Sequence, residues 1–287
     1  MIHYLSAILA CSIWGLSPVF WKLLINFETF ELASYRVLVS FLCFIPFFNI
    51  SKYKLMWSKI KTNKMLTLIS CGLMFNNIYL FVYAVNSGQI LEASFGYFLS
   101  PVLSMALAYF VLKETISPIK LVAIIFAVIS VIIKLTTFTT FPWVSLALGG
   151  GFALYGLIRK FLVLNATEMT FSEMSFISIP ALIILLNLGF SNELYFNNAS
   201  VFELSLLPLA WVPTLLPFLF FSFAAKHIEL NILSFIQYLS PSIQFVLAVF
   251  VYKEYIETSQ WISFALIWLA CSLIVTSSLR RRYNARK

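Results

Sequence analysis

The sequence predicts an all-α membrane protein with ten transmembrane helices, arranged as two inverted repeats of five helices each. The first observation is composition, because 61% of the 287 residues are hydrophobic and only 10% are charged, whereas soluble domains are about 45–50% apolar and about 25% charged. The second is a series of apolar segments separated by short polar turns. The third is an internal repeat at half the chain length, which indicates a membrane protein built from two related halves.

The repeat is clearest in two segments of nineteen residues. Phe98–Ile116 and Tyr238–Ile256 lie 140 positions apart and are identical at ten positions, including a proline and a terminal Lys-Glu pair. Shared hydrophobicity alone does not explain this agreement. We therefore infer a duplication, with the first repeat over residues 1–138 and the second over residues 139–287.

Each repeat contains five apolar runs, and a run of about 17–25 residues can cross a bilayer. The first run lacks the basic start of a signal peptide and is too long for one, so we expect it to remain as a helix. Gly149–Gly151 in the sixth run and three prolines in the eighth favour helices that line a cavity. The ten predicted spans are Tyr4–Ile25, Leu32–Phe48, Met65–Val85, Ala93–Leu112, Ile119–Ile133, Trp143–Ile158, Ser172–Phe190, Leu204–Ala225, Leu230–Tyr252 and Ser259–Ser278.

Basic residues predict the orientation, because lysine and arginine in short loops stay on the cytoplasmic side. With a cytoplasmic N-terminus, fifteen basic residues lie on that side and three, Lys22, Lys134 and Lys253, lie outside, while Arg36 falls within the second span. Both termini are therefore predicted to be cytoplasmic. Because five spans is an odd number, the second half enters the membrane from the opposite side, which makes the repeats inverted.

Few residues suggest metal binding or catalysis. The four cysteines lie singly in apolar runs, and neither His3 nor His227 has a second ligand near it in sequence, so we expect no metal and no cofactor. Gly149–Gly151 does not follow a strand, which argues against a phosphate-binding loop. No paired acid and base is present, so we predict that the chain is not an enzyme. The basic residues form short scattered clusters, which argues against nucleic-acid binding.

Pro101 and Pro241 occupy equivalent positions near the middle of the fourth and ninth spans. Each removes the amide that would bond the carbonyl four residues earlier. We interpret them as hinges or cavity-lining kinks because both copies keep the proline while their polar neighbours differ. The alternative is that they only shape the bundle, since neighbouring groups can satisfy the freed carbonyls.

Polar side chains within apolar spans usually face the protein interior, because they are costly in lipid. Those on the third, fourth and ninth spans predict one polar chamber with an aromatic rim. The alternative is hydrogen bonding between helices without a substrate, worth about 0.6 kcal/mol per contact. The candidate cavity residues, completed by one aromatic residue each on the first and sixth spans, are Trp14, Asn77, Tyr79, Tyr83, Tyr97, Ser100, Tyr155, Gln237, Tyr238 and Gln244.

Arg36 and Glu92 are the candidate charges. Arg36 is the one full charge clearly inside a predicted span, and it can either extend to the outer surface or pair with Glu31, Glu92 or an anionic group of a substrate. Glu92 is expected at the outer end of the fourth span and Glu173 at the inner end of the seventh. We therefore expect no carboxylate at the middle of the membrane and no proton relay there.

Five segments together resemble a known family. Over nearly its whole length the chain is similar to the RarD-type branch of the EamA drug/metabolite transporters. The resemblance implies the EamA fold of ten helices in two repeats, in a bacterial inner membrane. It also implies a central cavity between the first, third, fourth, sixth, eighth and ninth spans, with the fifth and tenth packed behind. The segments are WGLSPVFWKLL at 14–24, ELASYR at 31–36, YAVNSGQILEASFGYFLSP at 83–101, ALYGLIRK at 153–160 and TLLPFLFFSFAAKHIELNILSFIQYLSPSIQF at 214–245.

Together, these features predict a secondary transporter of a small organic solute, such as a metabolite, an amino-acid-like compound or a drug. Two inverted halves have two nearly equivalent packings, one open to each side, so transport by alternating access is expected. The partners are then a small-molecule substrate and the lipid bilayer. The alternative is a membrane scaffold protein that transports nothing, whose cavity residues would tolerate apolar replacement.

Overall fold

A computed structural model describes residues 2–47, 50–86, 90–136, 141–253 and 258–284. These residues are helical almost throughout and contain no β-strand. A π-helical turn covers Leu247–Val251, and 3-10 turns cover Ile45–Phe47, Tyr195–Asn198 and Leu207–Ala210. The α-helices are α1 (Ile2–Lys22), α2 (Thr29–Phe44), α3 (Ile50–Thr62), α4 (Lys64–Asn86), α5 (Ile90–Phe110), α6 (Pro118–Leu135), α7 (Trp143–Phe161), α8 (Ala166–Phe190), α9 (Val201–Leu206), α10 (Trp211–His227), α11 (Leu230–Gln237), α12 (Leu239–Val246) and α13 (Thr258–Asn284).

The described part of each predicted span is mainly helical, as expected where lipid offers no hydrogen-bond partner to the backbone. The number of membrane crossings stays a prediction, but several described segments are long and apolar enough to cross. These six segments are Ile2–Lys22, Lys64–Phe81, Pro118–Leu135, Ala166–Phe190, Val201–His227 and Leu230–Val251.

The seventh predicted span begins earlier than the sequence suggests. Hydrophobicity predicts a start at Ser172, but α8 starts at Ala166. The side chain of Asn165 accepts from the Glu168 amide at 2.8 Å, and the Glu168 carboxylate accepts from the Asn165 amide at 2.9 Å. This capping box stabilises a polar first turn that hydrophobicity alone does not reveal. Glu173 therefore lies in the second turn of α8, not at its end.

The helices pack in pairs that the sequence repeat relates to one another. In the first half α1, α2, α4, α5 and α6 correspond to α7, α8, α10, α11–α12 and α13 in the second. α5 packs against α7, and its counterpart α11–α12 packs against α1. Likewise α4 packs against α7 while α10 packs against α1. The remaining large contacts, α2 with α8 and α6 with α13, join corresponding helices directly.

Small residues allow these helices to approach closely. A Cβ atom added to Gly149 of α7 would lie 2.5 Å from the backbone oxygen of Gly96 on α5. The glycines of the sixth span thus serve contact between helices, as small residues do in membrane bundles, and none of them lines the cavity described below. Between α6 and α13, Ser130 Oγ donates to the Ser263 carbonyl at 2.9 Å, and Ser263 Oγ donates to the Ser130 carbonyl at 3.3 Å.

In each copy of the repeated segment, a lysine with left-handed backbone conformation follows shortly after the end of the helix. Lys113 has φ of 54° and Lys253 has φ of 57°, values that few residues other than glycine adopt. The duplicated sequence therefore ends its helix in the same way at both equivalent positions.

Candidate functional site

Polar side chains join the two halves of the chain at one end of the bundle. We call this end the basic face; it holds Lys59, Lys120, Lys160 and Lys226. Lys59 Nζ lies 2.6 Å from Glu168 Oε1, and Lys120 Nζ lies 2.8 Å from Glu229 Oε2. The other two lysines donate to backbone carbonyls of neighbouring segments. These contacts link the ends of helices at the basic face.

Glu114 adds a further link between the halves at this face. Its carboxylate accepts from the backbone amide of Leu230 at 2.6 Å and from that of Asn231 at 3.0 Å. Both amides belong to the first turn of α11 and have no partner within the helix. A negative charge here also complements the helix dipole. Glu114 of the first repeat thus holds the start of α11, while Glu254 at the equivalent position of the second repeat lies outside the described residues.

A buried ion pair lies close to the basic face. Arg159 Nη2 on α7 is 2.6 Å from Glu173 Oε2 on α8, and the two side chains are 3% and 0% exposed. Ser70 of α4 donates to the same carboxylate at 2.6 Å, and Tyr155 donates to it at 3.1 Å while accepting from Arg159. We call these four residues the Arg159 network. Tyr155, a predicted cavity residue, is therefore engaged in a closed cluster that links helices of both halves.

Trp14, another predicted cavity residue, lies in an aromatic cluster beside this network. Its ring centroid is 5.5 Å from that of Phe152, 5.2 Å from Phe218 and 5.7 Å from Phe221. Phe221 in turn stacks on Tyr155 with centroids 6.1 Å apart. Aromatic contacts thus connect the Arg159 network to α1.

A partly open cavity of about 410 Å³ lies between helices of both halves, near the end of the bundle opposite the basic face. Sites for small molecules have volumes of about 300–1,000 Å³. Gln244 lines the cavity and donates to the backbone carbonyl of Trp14 at 3.3 Å. The lining residues are Pro18, Lys22, Tyr97, Phe98, Lys134, Pro241, Gln244, Phe245, Leu247, Ala248, Tyr252, Gln260 and Phe264.

The ninth span is irregular where it borders this cavity. α11 ends at Gln237, α12 begins at Leu239, and the α-helix gives way to the π-helical turn Leu247–Val251. Pro241 and Leu247 both line the cavity. Irregular helix backbone within a membrane protein occurs where it faces protein or a cavity. In contrast, α5 continues through Pro101, which is buried.

Arg36 forms a polar cluster with side chains of α4 and α5. Its Cζ lies 4.9 Å from the ring centroid of Trp21, and the guanidinium lies within electrostatic range of Tyr79 and Tyr97. Tyr97 Oη donates to Asn77 Oδ1 at 3.2 Å. The structure thus brings together four of the predicted site residues, and Tyr97 connects them to the cavity.

Pairing of Arg36 with Glu31, one expectation from the sequence, is not observed. The Glu31 carboxylate accepts from the backbone amides of Tyr195 and Phe196, each at 3.0 Å. In the part of the chain that the structure describes, no carboxylate forms an ion pair with Arg36. The side chain of Glu92, the other candidate, lies outside the described residues.

The remaining predicted residues lie apart from the cavity lining. Ser100, Gln237 and Tyr238 are buried, and their Oγ, Nε2 and Oη atoms have no hydrogen-bond partner in the described chain. Tyr83 is 42% exposed and packs its ring on Trp143 with centroids 5.9 Å apart. Tyr83 therefore faces the outside of the bundle.

Among the described residues, no three His, Cys, Asp or Glu side chains come close enough to hold a metal ion. His3 and His227, distant in sequence, stack with ring centroids 4.2 Å apart. Two imidazoles without a third ligand do not make a protein zinc site.

The family model described as "EamA-like transporter family" matches the chain twice, at residues 1–136 and at residues 141–276. The chain belongs to this family. It is 32% identical over 286 residues to Protein RarD of Salmonella typhi, covering 99% of the chain and 96% of that protein. It is also 32% identical over 289 residues to Protein RarD of Escherichia coli strain K12, covering 99% and 97%. A transporter of Bacillus subtilis, YojE, described as uncharacterized, is 33% identical over 274 residues, covering 93% and 91%.

A solved crystal structure shares the fold of this EamA-like chain, with a TM-score of 0.69, 15% sequence identity, and coverage of 97% of this chain and 98% of the other. Family membership, RarD-like relatives and six apolar helical segments together make the chain a multi-pass membrane transporter.

Several cavity residues of this EamA-like protein were not predicted from its sequence. The sequence predicts Lys22 and Lys134 only as basic residues on the outer side, yet both line the cavity. Lys134 on α6, together with Gln260 and Phe264 on α13, shows that the fifth and tenth spans contribute to the lining instead of only packing behind it. The signal in the sequence was that Lys22 and Lys134 are two of the three basic residues expected outside.

Proposed function

We propose that this protein is a secondary transporter that moves a small organic solute across a bacterial inner membrane by alternating access. Its ten predicted spans would form two inverted repeats of five, over residues 1–138 and 139–287. The observation that carries the proposal is the cavity of about 410 Å³ between helices of both halves, in a member of a transporter family.

The contrast between the two ends of the bundle supports alternating access. The basic face is closed by links between the halves, whereas the cavity lies near the opposite end. Because helices related by the repeat make corresponding contacts, an equivalent arrangement with the opposite end closed is energetically comparable. Exchange between the two arrangements would carry a solute across.

A vesicle assay tests transport even while the solute is unidentified. Purified protein is placed in liposomes loaded with a bacterial metabolite extract, the vesicles are diluted, and retained compounds are measured by mass spectrometry. We expect a small group of compounds to be depleted by the wild type. Gln244→Leu in the cavity should slow this depletion, while Asn187→Leu on the exposed surface should not. Unchanged vesicle contents with well-folded protein would favour the scaffold alternative.

Orientation has a separate test. The basic face is expected in the cytoplasm, because lysine and arginine accumulate there. In a cysteine-free background, Asn198→Cys should react with an impermeant maleimide in intact cells, and Lys61→Cys should react only after permeabilisation. The reverse pattern would contradict cytoplasmic termini.

A further inference from the structure

A guanidinium removed from water is costly unless a partner compensates its charge. Arg159 has the carboxylate of Glu173 for this purpose. Arg36 is half-buried and has no carboxylate in ion-pair contact within the described residues, and its Nε atom is buried without a hydrogen-bond acceptor. The Glu31 carboxylate on the same helix is occupied by two backbone amides. The site around Arg36 therefore holds a positive charge that the described protein does not neutralise.

The neighbours of Arg36 also present hydrogen-bond donors. Asn77 is 8% exposed, its Oδ1 accepts from Tyr97, and its Nδ2 has no acceptor. A guanidinium and an amide donor thus lie near the same tyrosine, both with unsatisfied N–H groups. A carboxylate or similar oxyanion supplies acceptors for both, and arginine binds such groups through two parallel hydrogen bonds.

The cavity next to this cluster is lined by basic and aromatic residues. Tyr97 lines it, and the charged residues among its described lining are Lys22 and Lys134. Lys22 Nζ lies 3.4 Å from the ring centroid of Tyr252, and Lys134 Nζ lies 4.8 Å from that of Phe98. Phenyl and phenol rings form much of the remaining wall. Such a lining suits an anion with an aromatic or apolar body.

We propose that the transported solute is an organic anion whose acidic group binds between Arg36 and Asn77 and whose apolar body lies against the aromatic cavity wall. The inference rests on the proposed transport function, because it names the chemical class of that solute. It assigns Arg36 as the residue that selects for negative charge and Lys22 as a cation at the cavity wall that attracts it.

The sign of the cavity potential can be measured without any solute. Gln244→Cys is introduced after replacement of Cys11, Cys43, Cys71 and Cys271. Its reaction rates with anionic ethylsulfonate and cationic trimethylammonium methanethiosulfonates are then compared with those of a free thiol. A positive cavity should raise the anionic-to-cationic rate ratio above that of the free thiol. Arg36→Gln should lower the ratio about tenfold, the scale expected for loss of one charge at short range.

Two controls separate a local effect from a general one. Arg36→Lys keeps the charge and should keep the ratio. Lys61→Gln removes the same charge from an exposed position near the basic face and should leave the ratio unchanged. Faster reaction of the cationic reagent, or a ratio insensitive to Arg36→Gln, would overturn the proposal.

The vesicle assay supplies the second arm. Compounds depleted by the wild type should be organic anions, and Arg36→Gln should slow their depletion at least tenfold while chromatography shows folded protein. Depletion of neutral or cationic compounds instead would overturn the proposal and leave the transport function intact. A positive cavity with no depletion at all would instead count against the transport function.

Discussion

Two arginines inside the helical bundle, buried Arg159 and half-buried Arg36, have contrasting surroundings. Arg159 meets Glu173 and Tyr155 in a network that also includes Ser70, and every member comes from a helix that the network holds in place. Arg36 lies over the face of Trp21 and within electrostatic range of Tyr79 and Tyr97, with no described carboxylate in ion-pair contact. The charge of Arg159 is compensated by Glu173, while Arg36 can still bind an anionic partner.

The difference follows the division of the bundle. The Arg159 network lies near the closed basic face, while the Arg36 cluster adjoins the cavity through Tyr97. A compensated charge contributes to a fixed arrangement of helices, and an uncompensated one can be retained where a ligand completes it. We therefore expect substitutions in the first region to change stability and substitutions in the second to change flux.

The largest effect on stability is expected for Glu173→Gln. It leaves Arg159 buried without a counter-charge, which should cost about 3–5 kcal/mol of unfolding free energy. Thermal unfolding of the purified protein in detergent would report it as a lowered Tm. Ser70→Ala, which removes one hydrogen bond, should cost only about 1 kcal/mol. A Glu173→Gln protein with the wild-type Tm would erase the distinction between the two arginines.

Arg36→Gln should change stability little and flux strongly. Because no described ion pair is broken, we expect the unfolding free energy to change by less than about 1 kcal/mol. Flux of the solute identified in vesicles should fall at least tenfold, about 1.4 kcal/mol in binding. Tm and initial flux measured on the same preparation provide the test. A large decrease in Tm would mean that Arg36 stabilises the fold, as Arg159 does.

Glu114→Gln tests the link that holds α11 to the first half. The carboxylate accepts two backbone hydrogen bonds from the first turn of α11, so loss of its charge should cost about 1–2 kcal/mol. Glu229→Gln next to that helix is the matched control. Glu229 is 55% exposed in its ion pair with Lys120, and exposed pairs contribute about 0–1 kcal/mol. Equal Tm values for the two variants would mean that this cap is unimportant.

The smallest expected effect is a difference in flux between the Pro241→Ala and Pro101→Ala variants. Pro241 lies in the first turn of α12 beside the cavity, where its missing amide costs little. Replacement by Ala favours one continuous helix through Tyr238, so we expect roughly threefold slower flux with normal insertion. Pro101→Ala in the continuous α5 should have less effect on flux. If both variants transport at the wild-type rate, the prolines only shape the bundle.

Much of the fold could be predicted from local sequence. The apolar runs, the repeat and the two equivalent prolines can each be recognised within short stretches of the chain. The described part of each predicted span is mainly helical. The early start of α8 was missed because its first turn is polar and is stabilised by the Asn165 capping box. The site was less predictable. The sequence predicts Trp14, Tyr155 and Tyr97 alike as cavity residues, but the structure places the first two in packed clusters and only the third in the cavity lining.

By itself, the sequence determined that this protein is helical, membrane-embedded and duplicated, because hydrophobicity, helix length and repetition are properties of continuous segments. The tertiary structure decided which charges are compensated. Ser70 and Glu173 are 103 positions apart and yet share a hydrogen bond, whereas Glu31, only five positions from Arg36, bonds to amides more than 160 positions away. Whether a buried charge has a partner depends on such distant contacts, and no local pattern encodes them.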